Sequence, residues 1–299
     1  MSMTINKYIY IALSDKFDHM TRVSYSRTEN VRHPTELQHD LARECLKLTD
    51  VQGVEVTSVS DIPGEGTGLG SSSAYTVGLL AALSKRAGKL WPAEQLAQTA
   101  YVIEHRICSK PGVGKQDHYS AAYGGFRFYQ FNQNNSVDVL KMPIMPSGQS
   151  YLQDNLILLY TDVRRDGNPI LTDQELNLRN NRASIQSAIQ IRDLALRMAK
   201  DFSERKFYKT GDYLQKGWEL KKHLSSKISN PDLDDLYYKA IRAGAFGGKL
   251  LGAGGGGFFL FFAPSNCHEK IVKGTGLRQV EFKMETEGAK IIYDSNCQT

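Results

Sequence analysis

The 299-residue sequence has only four cysteines, Cys45, Cys108, Cys267 and Cys297, and no two form a CxxC pair. That spacing excludes the common zinc frameworks, and the scatter reads as reduced thiols in a cytoplasmic protein rather than a disulfide scaffold. No apolar run approaches the ~20 residues that a membrane-spanning helix needs. The opening MSMTINKYIY has no basic segment leading into an apolar one, so no signal peptide is expected. An excess of one charge is also lacking, since 37 Lys and Arg against 32 Asp and Glu leave only +5. No dense Lys/Arg stripe with interleaved aromatics occurs, so neither a nucleic-acid nor a membrane partner is expected. The slight basic excess suits an anionic small molecule or a plain solvated surface. Long repeats and low-complexity linkers are absent too.

What is present is a mixture of strand and helix patterns. Residues 5–13 (INKYIYIAL) are β-branched and aromatic and read as a strand, with RVSYS at 22–26 a candidate antiparallel partner. HDLARECLKL (39–48) is helical in pattern, and VEVTSVSDI (54–62) alternates like a strand. A helix from Ser71 follows. Another starts at Pro92 and carries Leu96, Ala97, Ala100 and Ile103 on one face. YGGFRFYQF (123–131) and the buried run NLILLYT (155–161) read as strands. Composition then changes: residues 166–246 are dominated by long amphipathic helical patterns, followed by LLGAGGGGFFLFFA (250–263), a glycine turn feeding an apolar strand. RQVEFKM and KIIYD are expected edge strands. The class is α+β, with domains expected at 1–165 and 166–299.

Between the strand ending near residue 62 and the helix from Ser71 lies GEGTGLGSSS, Gly64 to Ser73. Glycine permits positive φ and close approach of backbone N–H groups to a ligand. A helix N-terminus adds unsatisfied N–H groups and partial positive charge, and together these suit phosphate. A serine there can also reach a metal held between phosphates. A flexible loop with an ordinary serine cap remains the alternative at this point. No lysine follows as GxxxxGK[ST] requires, and the GxGxxG register fails because Ser71 falls where the third glycine belongs.

Pro63 followed by Gly66, Thr67, Gly68, Leu69, Gly70, Ser71, Ser72 and Ser73 resembles the phosphate-binding motif of the GHMP small-molecule kinases. The turn Lys249-Leu-Leu-Gly252-Ala253-Gly254-Gly255-Gly256-Gly257-Phe258 resembles that superfamily's last motif. VGKQDHY (113–119) and AAYGG (121–125) are similar to the branch of bacterial D-glycero-D-manno-heptose 7-phosphate kinases.

The resemblance implies the GHMP kinase fold. Its N-terminal domain would be ribosomal-S5-domain-2-like and its C-terminal domain ferredoxin-like, with the active site between them. It implies ATP and Mg²⁺, with a small-molecule sugar phosphate as acceptor. The reaction would be phosphorylation of the anomeric hydroxyl of the heptose phosphate. A fucokinase-like sugar 1-kinase is the enzymic alternative. The resemblance further implies that Asp117 is the catalytic aspartate, that Glu104 with Ser72 holds Mg²⁺, and that Gly254, Gly255 and Gly256 support the phosphate loop. Lys115 is a candidate partner of Asp117 or of the γ-phosphate, or else a surface lysine. Arg164 and Arg165, just past a strand, are candidates for an anionic sugar. Family members carry an earlier motif ahead of the INKYIY strand, and this sequence has only four residues there. A catalytically impaired nucleotide- or sugar-binding homologue is therefore a further expectation. A homodimer is left open.

Overall fold

The structure, a computed structural model, describes every residue except 65, 111 and 296–299, so Cys297 lies outside the described residues. Cys45, Cys108 and Cys267 are free thiols. A two-residue strand, β1 (Ser2–Met3), opens the chain. The rest forms two compact units that exchange segments. One comprises Met3–Gly64, Gly70–Gly125 and a tail from Glu285. The other comprises Phe126–Met284, the loop segment ending at Leu69, and the first two residues. The expected boundary near residue 165 falls inside the latter unit.

The first unit contains β2 (Ile9–Asp15), β3 (Thr21–Ser24), β4 (Thr28–Val31), α1 (Asp40–Thr49), β5 (Val54–Ser60), α2 (Ser71–Arg86), α3 (Ala93–Tyr101) and α4 (Gln116–Tyr123). Its sheet runs β2-β5-β3-β4. The expected β2–β3 pairing does not occur, because β5 lies between them, antiparallel to β2 and parallel to β3. The physical reason is local. β3 turns back into β4 as a hairpin, which leaves one edge of β3 open. The α1 crossover then delivers β5 to that edge in the parallel sense. Val54 and Val56 of β5 and Val23 of β3, the two central strands, are fully buried. α2 lies close on β2, since a Cβ added at Gly78 would sit 3.4 Å from Cγ1 of Ile11.

Leu96, Ala97, Ala100 and Ile103 are all buried, as the face of the Pro92 helix requires, although Pro92 stands at the N-cap rather than inside the helix. α3 runs into a π-helical turn, Val102–Ile107. This widened turn sets the adjacent side chains of Ile103 and Glu104 both inward, at 0% and 2% exposure.

The second unit contains β6 (Phe126–Phe131), β7 (Val137–Lys141), α5 (Pro146–Asn155), β8 (Leu156–Tyr160), α6 (Asn168–Asn180), α7 (Arg182–Ser203), α8 (Thr210–Lys222), α9 (Pro231–Arg242), β9 (Gly247–Leu250), β10 (Phe258–Phe262), α10 (His268–Thr275) and β11 (Arg278–Gln279). One sheet runs β1-β6-β7 and the other β11-β8-β10-β9. Every residue of β8 is buried, and it pairs antiparallel with β10, Tyr160 opposite Phe258 and Leu156 opposite Phe262. Trp218, Tyr237, Leu250, Phe259, Phe261 and Ile271 form the core over this sheet.

Of the two expected edge strands near the carboxyl end, RQVEFKM supplies the short β11, whereas residues 290–294 are not a strand. The tail's hydrogen bonds are spent elsewhere. The Glu285 and Ala289 N–H groups donate to the carbonyls of Thr4 and Ala121. Gly288 lies so close to Ala122 that a Cβ there would stand 2.1 Å from its carbonyl oxygen.

Candidate active site

The glycine loop is built from alternating left-handed residues, with φ of 69° at Gly66, 75° at Gly68 and 73° at Gly70. Side chains rarely adopt that conformation, which explains why every second residue is glycine. Gly70 is the N-cap of α2 and brings no side-chain cap, so the first N–H groups of a 16-residue helix are not taken by a capping side chain. Pro63 precedes this loop, half-buried.

In the second unit, the first half of the loop rests on the turn between β9 and β10. A Cβ at Gly68 would be 2.8 Å from the Leu251 carbonyl oxygen, and one at Gly252 would be 2.2 Å from the Gly68 Cα. One at Gly257 would be 2.2 Å from the Thr67 carbonyl oxygen. The supporting contacts therefore come from Gly252 and Gly257, at the two ends of the turn. A Cβ added at Gly254, Gly255 or Gly256 would meet Ile228, Ile170 with Arg165, and Val163. Lys221 secures one end by donating to the carbonyls of Leu250 (3.1 Å) and Gly252 (2.5 Å). Arg164 and Arg165 are exposed, and the Arg165 backbone lies against Gly66. Arg164 Nε also reaches the Tyr160 hydroxyl at 3.3 Å.

In the first unit, the second half of the loop meets two acids. A Cβ at Gly70 would stand 3.2 Å from Cβ and Cγ of Asp117 and 3.3 Å from its Oδ2. Asp117 is exposed in the first turn of α4, and Lys115 is that helix's N-cap residue. Lys115 is half-buried with Nζ 5.4 Å over the Tyr101 ring, a cation–π contact that a loose surface lysine would not make. Ser71 and Ser72 open α2. Ser73, one residue further, is buried and its Oγ donates to Oε2 of Glu104 at 3.3 Å.

Glu104 is the electrostatic centre of this half. Burial pushes its carboxyl up, but hydrogen bonds from His118 and Ser72, with the charge of Lys110, outweigh it and hold the group below its ordinary value. The carboxylate stays ionised inside the protein. His118 lies 2.8 Å from Oε2 through Nε2 and is wholly buried. Sequence reasoning missed this residue. A signal was there: His118, Tyr119 and Ala122 form the buried face of α4, and a histidine on an apolar face needs a polar partner.

Among the described residues, no group of three or more His, Cys, Asp or Glu side chains is arranged to hold a metal alone. One ionised carboxylate with a serine hydroxyl beside it is nevertheless the donor set that suits Mg²⁺ when phosphate oxygens supply the rest. No helix among the described residues is long and apolar enough to cross a membrane.

The chain matches the GHMP kinases N terminal domain over residues 36–125 and the GHMP kinases C terminal domain over 198–273. It is 32% identical over 234 residues to D-glycero-alpha-D-manno-heptose 7-phosphate kinase of Campylobacter jejuni, spanning 77% of this chain and 68% of that protein. It is 30% identical over 245 residues to mevalonate kinase of Thermococcus sibiricus, spanning 80% and 69%. The crystal structure of a D-glycero-D-manno-heptose 1-phosphate kinase from Bacteriodes thetaiotaomicron matches it with a TM-score of 0.69 at 23% identity, covering 98% of this chain and 90% of that one. That last likeness carries the fold, while both domain matches and the two sequence relatives carry the lineage. By both domain matches and both sequence relatives, this chain belongs to the GHMP kinase family, enzymes that transfer a phosphoryl group from ATP to an alcohol.

Proposed function

We propose that the chain is an ATP- and Mg²⁺-dependent sugar kinase whose acceptor is D-glycero-D-manno-heptose 7-phosphate, phosphorylated at the anomeric hydroxyl. The observation that carries the catalytic reading is the ionised, buried Glu104 hydrogen-bonded to the serine run of α2, with the Asp117 side chain against Gly70 at the same helix end.

In this reading, Gly66, Gly68, Leu69, Gly70 and Ser71 to Ser73 hold the ATP phosphates with backbone N–H groups and the α2 dipole, and Pro63 sets the entry to the loop. Ser72 and Glu104 would hold Mg²⁺, which neutralises phosphate charge when bound. Asp117 accepts the proton of the acceptor hydroxyl as its oxygen bonds to the γ-phosphorus and the bond to the β-phosphate oxygen breaks. The products are the sugar 1,7-bisphosphate and ADP. Lys115 contributes positive charge beside Asp117. Arg164 and Arg165 offer guanidinium forks for an anionic sugar.

The 32% identical relative and the VGKQDHY stretch support the heptose acceptor. The 30% identical mevalonate kinase shows why the acceptor needs its own test. ADP release is measured with heptose 7-phosphate, unphosphorylated heptose, mannose, fucose and mevalonate. The expected order places heptose 7-phosphate first, with Asp117→Asn lowering its turnover by ~10²–10⁴. Preference for fucose or mevalonate refutes the acceptor. Calorimetric ADP binding without turnover of any acceptor identifies a silent homologue.

A further inference from the structure

We infer that His118 is a positioning residue for Glu104: its imidazole, in the Nε2–H tautomer, holds the carboxylate in place and leaves its negative charge available to a cation. The inference rests on the proposed role of Glu104 and goes beyond it. Three observations support it.

First, the contact is short and isolated from water. His118 Nε2 lies 2.8 Å from Glu104 Oε2, and the two side chains are 0% and 3% exposed. An ionised carboxylate accepts only, so Nε2 must carry the proton. Second, Nδ1 of His118 is buried and has no hydrogen-bond partner among the described residues. A buried N–H needs an acceptor, so the nitrogen that faces the carboxylate is the donor and the one with nothing in reach is not. Third, the ring cannot turn away easily. It meets the Tyr101 ring edge-on with centroids 6.0 Å apart, and Tyr101 is itself stacked on His105 on its other contacts and carries Lys115 over its face.

The consequence is a division of labour at the carboxylate. Ser73 and Ser72 are hydroxyl partners that rotate. His118 is the rigid one, set by α4, the helix whose first turn carries Asp117. One buried imidazole therefore ties the orientation of the proposed metal ligand to the helix of the proposed base. The arrangement is that of a partner which orients a ligand without touching the cation, and removal of such partners weakens metal binding by roughly 10–100-fold.

The test combines variants with a measurement on the parent protein. In His118→Leu, the Mg²⁺ concentration for half-maximal activity at saturating ATP should rise roughly 10–100-fold. ADP binding measured by calorimetry without Mg²⁺ should hold. His118→Gln, whose side-chain amide can donate near the Nε2 position, should restore much of the Mg²⁺ affinity. On the parent protein without metal, ¹⁵N-imidazole NMR should show a protonated Nε2 and an unprotonated Nδ1 at His118, a readout that needs no variant to fold. An Nδ1–H tautomer overturns the inference. So does a folded His118→Leu protein with parental Mg²⁺ dependence while Glu104→Gln shifts it. If Glu104→Gln leaves the Mg²⁺ dependence unchanged, the metal reading of Glu104 fails, and the positioning role toward a cation falls with it.

Discussion

Gly70→Ala places one methyl group at the junction of the glycine loop, α2 and Asp117, the proposed base. The φ of 73° at Gly70 is left-handed, and an alanine held there costs about 1–2 kcal/mol. At roughly 2–4 °C per kcal/mol, thermal unfolding should fall by about 2–8 °C. The new Cβ would also lie 3.2 Å from Cβ and Cγ of Asp117, tighter than an ordinary van der Waals contact. Asp117 must yield by a few tenths of an ångström. A misplacement near 1 Å costs on the order of 10²-fold, so this smaller shift should lower kcat about tenfold. The assay is a double-mutant cycle with Asp117→Asn, with kcat read from ADP release. If Gly70→Ala acts by displacing the carboxylate, it should lower kcat little further once that carboxylate is gone. Gly114→Ala is the control, because a Cβ there meets nothing within 4 Å. Losses that multiply in the double variant, or a Gly70→Ala protein with parental stability and kcat, would refute the reasoning.

The other perturbations probe separate parts of the fold. Gly252→Ala sets a Cβ 2.2 Å from the Gly68 Cα, so the loop must leave its seat; ADP affinity by calorimetry should fall together with the thermal midpoint, and unchanged values for both would show that the turn does not brace the loop. Glu104→Gln removes the ionised carboxylate and should raise the Mg²⁺ requirement with little change in metal-free ADP binding, as read by activity against Mg²⁺ concentration and by calorimetry. Asp201 is held down to about 2 from an ordinary 3.8 by hydrogen bonds from Tyr213 and Lys209. Its folded value is depressed, so its contribution is present above pH 3.8 and is lost as pH falls from there through 2. Urea melts of the parent and Asp201→Asn should therefore differ near neutrality and draw together as pH falls through 2, and a gap that stays constant from about pH 4 to below 2 contradicts this.

Local chemistry made much of this protein legible from its sequence. Alternating glycines before a serine run announce left-handed turns and an open helix end, and Gly66, Gly68 and Gly70 have that geometry. Helical spacing marked Leu96, Ala97, Ala100 and Ile103 as one buried face, and the unbroken apolar run at 156–160 marked a strand covered on both sides. These features depend on residues within a few positions of one another, so their physics is written in the local order. Tertiary structure alone decided what depends on partners far along the chain. The pairing of β3 with β5 rather than β2 follows from a hairpin and a crossover, which no strand propensity encodes. In a run of four glycines, nothing local says which will touch another loop. The β9–β10 register gives that contact to Gly252 and Gly257 and turns Gly254 to Gly256 toward Ile228, Ile170 and Val163. His118 and Glu104 lie on separate helical segments, and only the packing of α4 against α3 and its π turn converts a histidine on an apolar face into the hydrogen-bond partner of a buried carboxylate.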